Sequence, residues 1–460
     1  MIENENIFKA GFSRVNITPP LGVSLGGHPH ADKRLATEVL DDLEINTLAV
    51  SAGGKIAVLF SADLLYIRKV DSEKIRRRVA EENNIPYESI FIACTHTHTG
   101  PLISVDHIPG FVLNEKNLVY KAFLPTRFSD AAKAAIADLK PAKMGWAVSE
   151  VKGVSFVRRY RMKDGSVRTN PGQRNPDIVE PIGQPDYRVN VLRILREGGK
   201  EIAIANFGVH PDTLGGFRKV SADYPRAVRE TVEGAMPEVH CIFFNGCQGD
   251  LNHFNVNAEA KVLDDFMACN DTVDKNYNFT QWLNTRHIGR AIAGALLQVY
   301  GDVKWVDVDR VEFGSKDCVV PTNMPTPEEL EWANRIRAAI QAGEPKENYP
   351  PHTDTKAERM YRVSLGPATD ALPVSAIRIG PAVFVGIPGE PFNGIGLGLK
   401  ENSPFAVTLP CCLVNGGQGY YPMQECYEEG GYEAGSSNFA PGVAERLIAT
   451  GAELMNVLYK

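Results

Sequence analysis

The chain has 460 residues, enough for two or three average domains or for one large α/β domain, and either can bury a large core. A formal net charge of −7, with no cationic run longer than Arg76-Arg77-Arg78, speaks against nucleic acid as a partner. The start, Met1 to Asn6, has neither a basic nor an apolar run, and no stretch of about 18 uninterrupted apolar residues follows, so the expectation is a cytoplasmic protein without membrane insertion.

The pattern alternates short apolar strands with helices and glycine-rich turns. Ile56 to Ala62 reads as a buried strand ending in the carboxylate Asp63, and Asp71 to Glu82 as a charged helix. The apolar run Ile90-Phe91-Ile92-Ala93 then stops at Cys94-Thr95-His96-Thr97-His98-Thr99-Gly100-Pro101. Strand side chains alternate faces, so an extended segment would point His96 and His98 the same way, into the cleft beyond the strand's carboxyl end. Val189 to Leu195 and Glu201 to Val209 form a predicted hairpin turning at Gly198-Gly199, and Val239 to Phe244 is another buried strand. Gln281 to Val299 has helical spacing. Pro325 to Ala342 is a polar helix with Thr326 as its cap and Glu329 three residues on, and Glu344 to Lys356 is the candidate mobile loop. No internal repeat or low-complexity linker appears, which favours a single domain, 1–460.

Two further strand ends carry metal-ligand chemistry. Asn206-Phe207-Gly208-Val209-His210-Pro211-Asp212 places a histidine at one, and Ile387-Pro388-Gly389-Glu390-Pro391 places a carboxylate after the apolar strand 382–385 at the other. Two imidazoles and a carboxylate suit a borderline-soft divalent ion of the catalytic zinc type. Eight cysteines lie scattered without a Cys-x-x-Cys pair, which fits a reducing compartment, and Cys94 and Cys247 read as packing residues rather than nucleophiles. Glycines and clustered tyrosines in Asn415 to Pro422 and Tyr427 to Ala434 suit a loop that closes over a site.

In the order and spacing of these motifs, from Ile17-Thr18-Pro19 to the Tyr432 loop, the chain resembles the catalytic domain of the neutral (non-lysosomal) ceramidases. The resemblance implies an α/β fold with mixed central β-sheets flanked by helices and the site at the strand mouths. It places zinc ligands on His96, His210, Glu390 and Tyr420, with His98 close but not a ligand. It also implies a substrate contact for Tyr432, twelve residues beyond Tyr420, and a substrate-facing arginine at Arg158, for which Arg159 and Arg161 compete. No counterpart of the family's C-terminal immunoglobulin-like domain is expected. One departure matters. Ceramidases read Gly-Asp-Val-Ser-Pro-Asn where this chain reads Gly249-Asp250-Leu251-Asn252-His253-Phe254, so Asn252 stands in place of the serine. An amide cannot usefully attack a carbonyl, but it can hydrogen-bond a tetrahedral intermediate.

The reading that follows is a zinc-dependent hydrolase cleaving an amide, or an ester, of a small soluble molecule or glycoconjugate by metal-activated water. Asp250 or His98 would handle protons, and Tyr432 and Arg158 would stabilise the oxyanion. The alternatives are a zinc-dependent carbohydrate-active hydrolase or lyase, favoured by a small polar pocket, and an inactive metal-binding homologue. The loops Gly26 to His30 and Gly215 to Arg218 are expected to line the mouth, with Arg158 and Arg218 favouring a carboxylate or several hydroxyls.

Overall fold

The computed structural model describes residues 7–28, 31, 33–104, 112–256, 277–350 and 352–460. Among these residues the largest sheet has nine strands. Its path runs Val239–Asn245, Glu201–Phe207, Arg188–Arg196, Lys140–Glu150, Lys9–Asn16, Glu44–Ala52, Lys55–Ala62 and Ile90–Cys94, with Lys304–Val306 also paired to Lys140–Glu150. The interior pairs are antiparallel, and the pair at each end of the path is parallel. The two ends approach each other: the Ser61 hydroxyl donates to the Phe243 carbonyl at 2.5 Å, and the Asn245 amide to the Thr95 carbonyl at 3.1 Å. A second sheet of four strands runs Val311–Pro321, Thr369–Ile379, Ala382–Gly386 and Val407–Cys411, its last pair parallel.

The two sheets pack face to face, and helices cover their outer faces. In Glu44–Ala52 the alternation is direct. Leu48, Val50 and Ala52 enter the core between the sheets, whereas Ile45 and Ala49 enter the core under Lys69–Asn83 and Glu115–Ala137. Burial on both faces is why such strands read as continuous apolar runs. Between the sheets the Phe384 ring lies 6.2 Å from that of Phe91 and 5.2 Å from that of Phe244. Each of these fully buried side chains contributes about 1.5–3 kcal/mol relative to exposure. Helices Tyr224–Ala235 and Tyr277–Val299 cover another part of the large sheet, and Asn393–Glu401 and Val443–Tyr459 cover the small one.

The predicted hairpin forms between Arg188–Arg196 and Glu201–Phe207, and the capped helix spans Pro327–Gln341 with a complete capping box between Thr326 and Glu329. The segment expected as a mobile loop differs. It holds a short 3-10 turn, Lys346–Asn348, and the first turn of helix Thr353–Ser364. That helix packs on Pro327–Gln341 through Ala333, Ala357 and Met360. Prolines and a histidine before a helix look like a loop because they belong to its approach.

The carboxyl ends of the parallel pairs in both sheets converge, which is where open α/β sheets bind ligands. From Ile90–Cys94 the chain continues to His96 and His98, from Glu201–Phe207 to His210, and from Ala382–Gly386 to Glu390.

Candidate metal centre and adjoining cleft

The histidine strand ends at Cys94, before either imidazole. His96 adopts φ +76°, a left-handed conformation that costs a non-glycine residue free energy and is held by its surroundings. Its N–H donates to the Leu64 carbonyl at 2.9 Å and its Nδ1 lies 2.8 Å from the Leu65 carbonyl. His96 and His98 therefore converge through a turned backbone, and the expectation of strand alternation is corrected in its cause. Gly27, at φ +93°, lets a neighbouring loop lie flat on the His98 ring, which a side chain would strike at 2.6 Å.

Three imidazole nitrogens meet. His98 Nε2 lies 3.2 Å from His96 Nε2 and 3.1 Å from His210 Nε2, and all three rings are buried. A carbonyl can only accept, so His96 Nδ1 carries a proton and donates it to Leu65, which leaves Nε2 as the atom facing the other two rings and Glu390. His210 Nδ1 faces the Gln248 carbonyl at 3.4 Å, which favours the same tautomer. Burial pushes the His98 pKa down to about 3 and that of His210 well below its usual value, so both rings are neutral. Glu390 Oε2 then lies 3.1 Å from His96 Nε2, buried and without a hydrogen bond. Lone pairs and a carboxylate oxygen crowded together in low dielectric repel one another. A cation among them removes that cost, and His96, His98 and His210 lie close enough to hold a metal ion.

Glu390 is positioned by its strand. Glu390–Pro391 pairs in parallel with Tyr420–Tyr421, with Glu390 opposite Tyr420. Gly249 sits so close to this element that a Cβ there would lie 2.5 Å from the Glu390 carbonyl oxygen. Arg158 stacks over the Tyr420 ring at 5.4 Å, donates Nε to Glu433 Oε1 at 2.6 Å and Nη2 to the Gly249 carbonyl at 2.7 Å. Burial opposes the Arg158 charge, but Tyr420, Glu433 and Glu390 hold its pKa above the ordinary value. Its competitors go elsewhere: Arg159 to Glu429 and the Gly430 carbonyl, Arg161 to Glu429 on the surface. The Tyr432 ring packs 5.7 Å from Tyr420, and burial, then Glu390, raises its pKa to about 12.

Two expected residues are engaged away from the imidazoles. The Asn252 amide donates to Asn170 Oδ1 at 3.0 Å and the Phe254 carbonyl at 3.4 Å. Asp250, raised to about 6 by burial, accepts the N–H of Asn393 at the start of helix Asn393–Glu401 at 2.6 Å, while its carbonyl takes the Arg158 N–H at 2.9 Å. Cys94 is buried and pushed up to about 12, and burial raises Cys247 as well, so neither offers a thiolate.

Sequence reasoning gave no role to Asp212 or Glu433, and placed His28 only in the mouth loop. Asp212 lies 3.6 Å from His98 Nδ1 and 2.6 Å from His28 Nε2, so a second group able to hold a metal, His28, His98 and Asp212, shares an imidazole with the first. Its place two residues after His210 was the available signal. His28 and His98 thus flank the Asp212 carboxylate from two sides. Glu433, completely buried, holds Arg158 and accepts from Thr169 Oγ1 at 2.7 Å.

A cleft of about 510 Å³ opens beside Glu390, Tyr420 and Tyr432, and a second of about 1090 Å³ meets it at Tyr432 and Arg359. Their walls come from helices Pro327–Gln341 and Thr353–Ser364 and the Gly417 to Tyr420 loop. Arg218, expected at the mouth, is instead bound to the Leu35 carbonyl and lines neither cleft; Pro29 and His30 lie outside the described residues. Among the described residues no helix is long and apolar enough to cross a membrane.

No protein-family description matches the chain, and no curated protein matches it in sequence. Solved structures do. The chain superposes on the crystal structure of neutral ceramidase from Pseudomonas aeruginosa with a TM-score of 0.73 at 17% identity, covering 99% of this chain and 75% of that one. A ceramidase complexed with C2 gives the same values. At that identity the likeness concerns the fold: the chain has the neutral ceramidase fold, with the mixed α/β architecture expected from its motifs.

Proposed function

We propose that the chain is a zinc-dependent hydrolase of amide, or ester, bonds in a water-soluble substrate. The observation that carries the reading is the buried Glu390 oxygen, without a hydrogen bond, facing three buried imidazoles at the strand mouths. His96, His210 and Glu390 are the ligands, with Tyr420 the fourth, and such a nitrogen and oxygen set suits zinc. A bound zinc ion supplies Lewis acidity to a substrate carbonyl and lowers the pKa of water. His98, neutral and backed by Asp212, accepts the proton released when water attacks, then returns it to the leaving group. Tyr432 keeps its proton at neutral pH and donates it as a hydrogen bond to the developing oxyanion, while Arg158 holds Tyr420 in place. Asn252, through Asn170 Oδ1 and the Phe254 carbonyl, and Asp250, through the Asn393 N–H, support the walls of the site.

A second reading, zinc-dependent action on a carbohydrate, is favoured by the polar lining of the smaller cleft, which includes Gln418, Asn438 and several arginines. Turnover of short N-acyl amides, N-acyl sugars and a long-chain ceramide, each with and without a chelator, tests the proposal. Chelator-sensitive hydrolysis of the short members supports it, with the N-acyl sugars favoured if the second reading holds. Robust preference for the long-chain lipid overturns the soluble-substrate assignment, and a fully metallated protein inert on the whole panel overturns the hydrolase.

A further inference from the structure

His98 turns one ring nitrogen to the strand-mouth imidazoles and the other to a second cluster, His28 and Asp212. Three segments bring that cluster together. Gly27, at φ +93°, lays its loop on the His98 ring, and the next residue, His28, places its ring centroid 5.5 Å from that of His98 at 77°. The segment after Glu201–Phe207 carries His210 and, two residues on, Asp212. Between them the Pro211 carbonyl accepts the His98 N–H at 3.2 Å, which ties the imidazole to the backbone beside Asp212.

The contacts within the cluster are uneven. His28 Nε2 lies 2.6 Å from Asp212 Oδ1, a distance that one shared proton explains. His98 Nδ1 lies 3.6 Å from the same oxygen, too far for a hydrogen bond, and is buried with no hydrogen-bond partner. Protonated, this nitrogen is a buried donor without an acceptor; unprotonated, it is a lone pair facing a carboxylate. Either state costs free energy. A proton joins two atoms, whereas a cation joins three, and one ligand atom from each of the three residues lies within 4.8 Å of the others. Two imidazoles and a carboxylate form a borderline-soft set of the zinc type. The His28 and Asp212 side chains are each 25% exposed, so the cluster is open to an ion from solvent.

We propose that His28, His98 and Asp212 bind a second divalent cation, of the zinc type, and that its binding stops hydrolysis by occupying His98. A neutral imidazole has two ring nitrogens and one proton. With the cation on Nδ1, that proton sits on Nε2, the nitrogen 3.2 Å from His96 and 3.1 Å from His210. The ring then has no lone pair left for the proton that attacking water releases. Two divalent ions on opposite sides of one imidazole repel, so this site fills after the first. The inhibitory consequence rests on the role of His98 in the hydrolase reading; the site itself does not require turnover.

Zinc is the probe. Equilibrium dialysis of the full chain against rising free zinc counts the ions bound, anomalous scattering at saturating zinc locates them, and amide turnover is followed over the same range. The expected result is two ions taken up in sequence, the second between His28, His98 and Asp212, with turnover rising as the first binds and falling as the second does. His28→Gln and Asp212→Asn should each weaken the second ion by about tenfold or more while the first is still taken up. Relative to each variant's own maximum, the fall in turnover should move to higher zinc by the same factor. Both side chains are partly exposed, so folding is retained. One ion per chain throughout, or a second ion bound unchanged in both variants, overturns the inference. A second ion located at the cluster with turnover undiminished overturns its inhibitory role. A second ion that depends on His28 and Asp212, in a protein that turns over no substrate, upholds the site and overturns the hydrolase reading.

Discussion

Replacing Glu433 separates charge from packing at the centre of the site. Its side chain is fully buried and takes one hydrogen bond from Arg158 at 2.6 Å and one from Thr169 at 2.7 Å. Glu433→Ala leaves a buried guanidinium without this partner, a change that costs about 3–5 kcal/mol. Glu433→Gln keeps the shape and one acceptor but turns an ion-paired hydrogen bond into one between the Arg158 cation and a neutral amide, a difference of about 1–2 kcal/mol. Tyr420 and Glu390 also favour the Arg158 charge, so the alanine variant falls toward the lower end of its range. Urea unfolding measures both, with an unchanged slope showing that the comparison is between like transitions. The order wild type, Gln, Ala is expected, and Arg158→Met combined with Glu433→Leu should recover most of the loss. Equal and sub-kilocalorie effects of the two single variants would refute the reasoning, because they would mean that the pair is solvated.

Three other outcomes follow from the geometry. Thr326→Ala removes one half of the capping box on Pro327–Gln341 and should cost about 1 kcal/mol, read as a lower thermal midpoint. Asp223, capping helix Tyr224–Ala235, is raised to about 7 by burial, against the hydrogen bonds from Thr213 and Tyr224. Its folded pKa lies above the unfolded value of about 3.9, so its stabilising contribution is complete below that pH and is lost as pH rises through 7; Asp223→Asn should flatten this part of the stability profile, and parallel profiles would contradict it. Gly249→Ala pushes a methyl group into the Glu390 carbonyl and should cost about 1–3 kcal/mol, with metal affinity falling alongside stability in a joint melting and metal-binding measurement.

Much of the fold was legible because its strands are buried on both faces or alternate cleanly. Ile56 to Ala62 and Val239 to Phe244 read as strands of a covered sheet and form them to within a residue at each end, and Thr326 marked the cap of a helix that runs Pro327–Gln341 rather than the expected 325–342. His96, His98, His210 and Glu390 stood out because each follows an apolar run that stops abruptly. What sequence could not carry was direction. The left-handed turn at His96 is set by Leu64 and Leu65, more than thirty residues back, and no local pattern announces it. Arg158 was indistinguishable from Arg159 and Arg161 until Glu433, in the short helix Tyr432–Ser436 and 275 residues away, selected it. The arginines of the cleft were hidden for a similar reason: Glu344 to Lys356 lacks apolar periodicity, so the helix carrying Arg359 and Arg362 was credited with no wall of the site.

The central claim is the cation at the strand mouths, and metal content per chain tests it most directly. Elemental analysis and anomalous scattering of the purified protein should give one zinc ion beside His96, His210 and Glu390, with His96→Ala and Glu390→Ala each losing it while retaining the fold by circular dichroism. Stoichiometric metal retained in both variants, or a wild-type protein that takes up no divalent ion at micromolar concentration, would contradict the assignment.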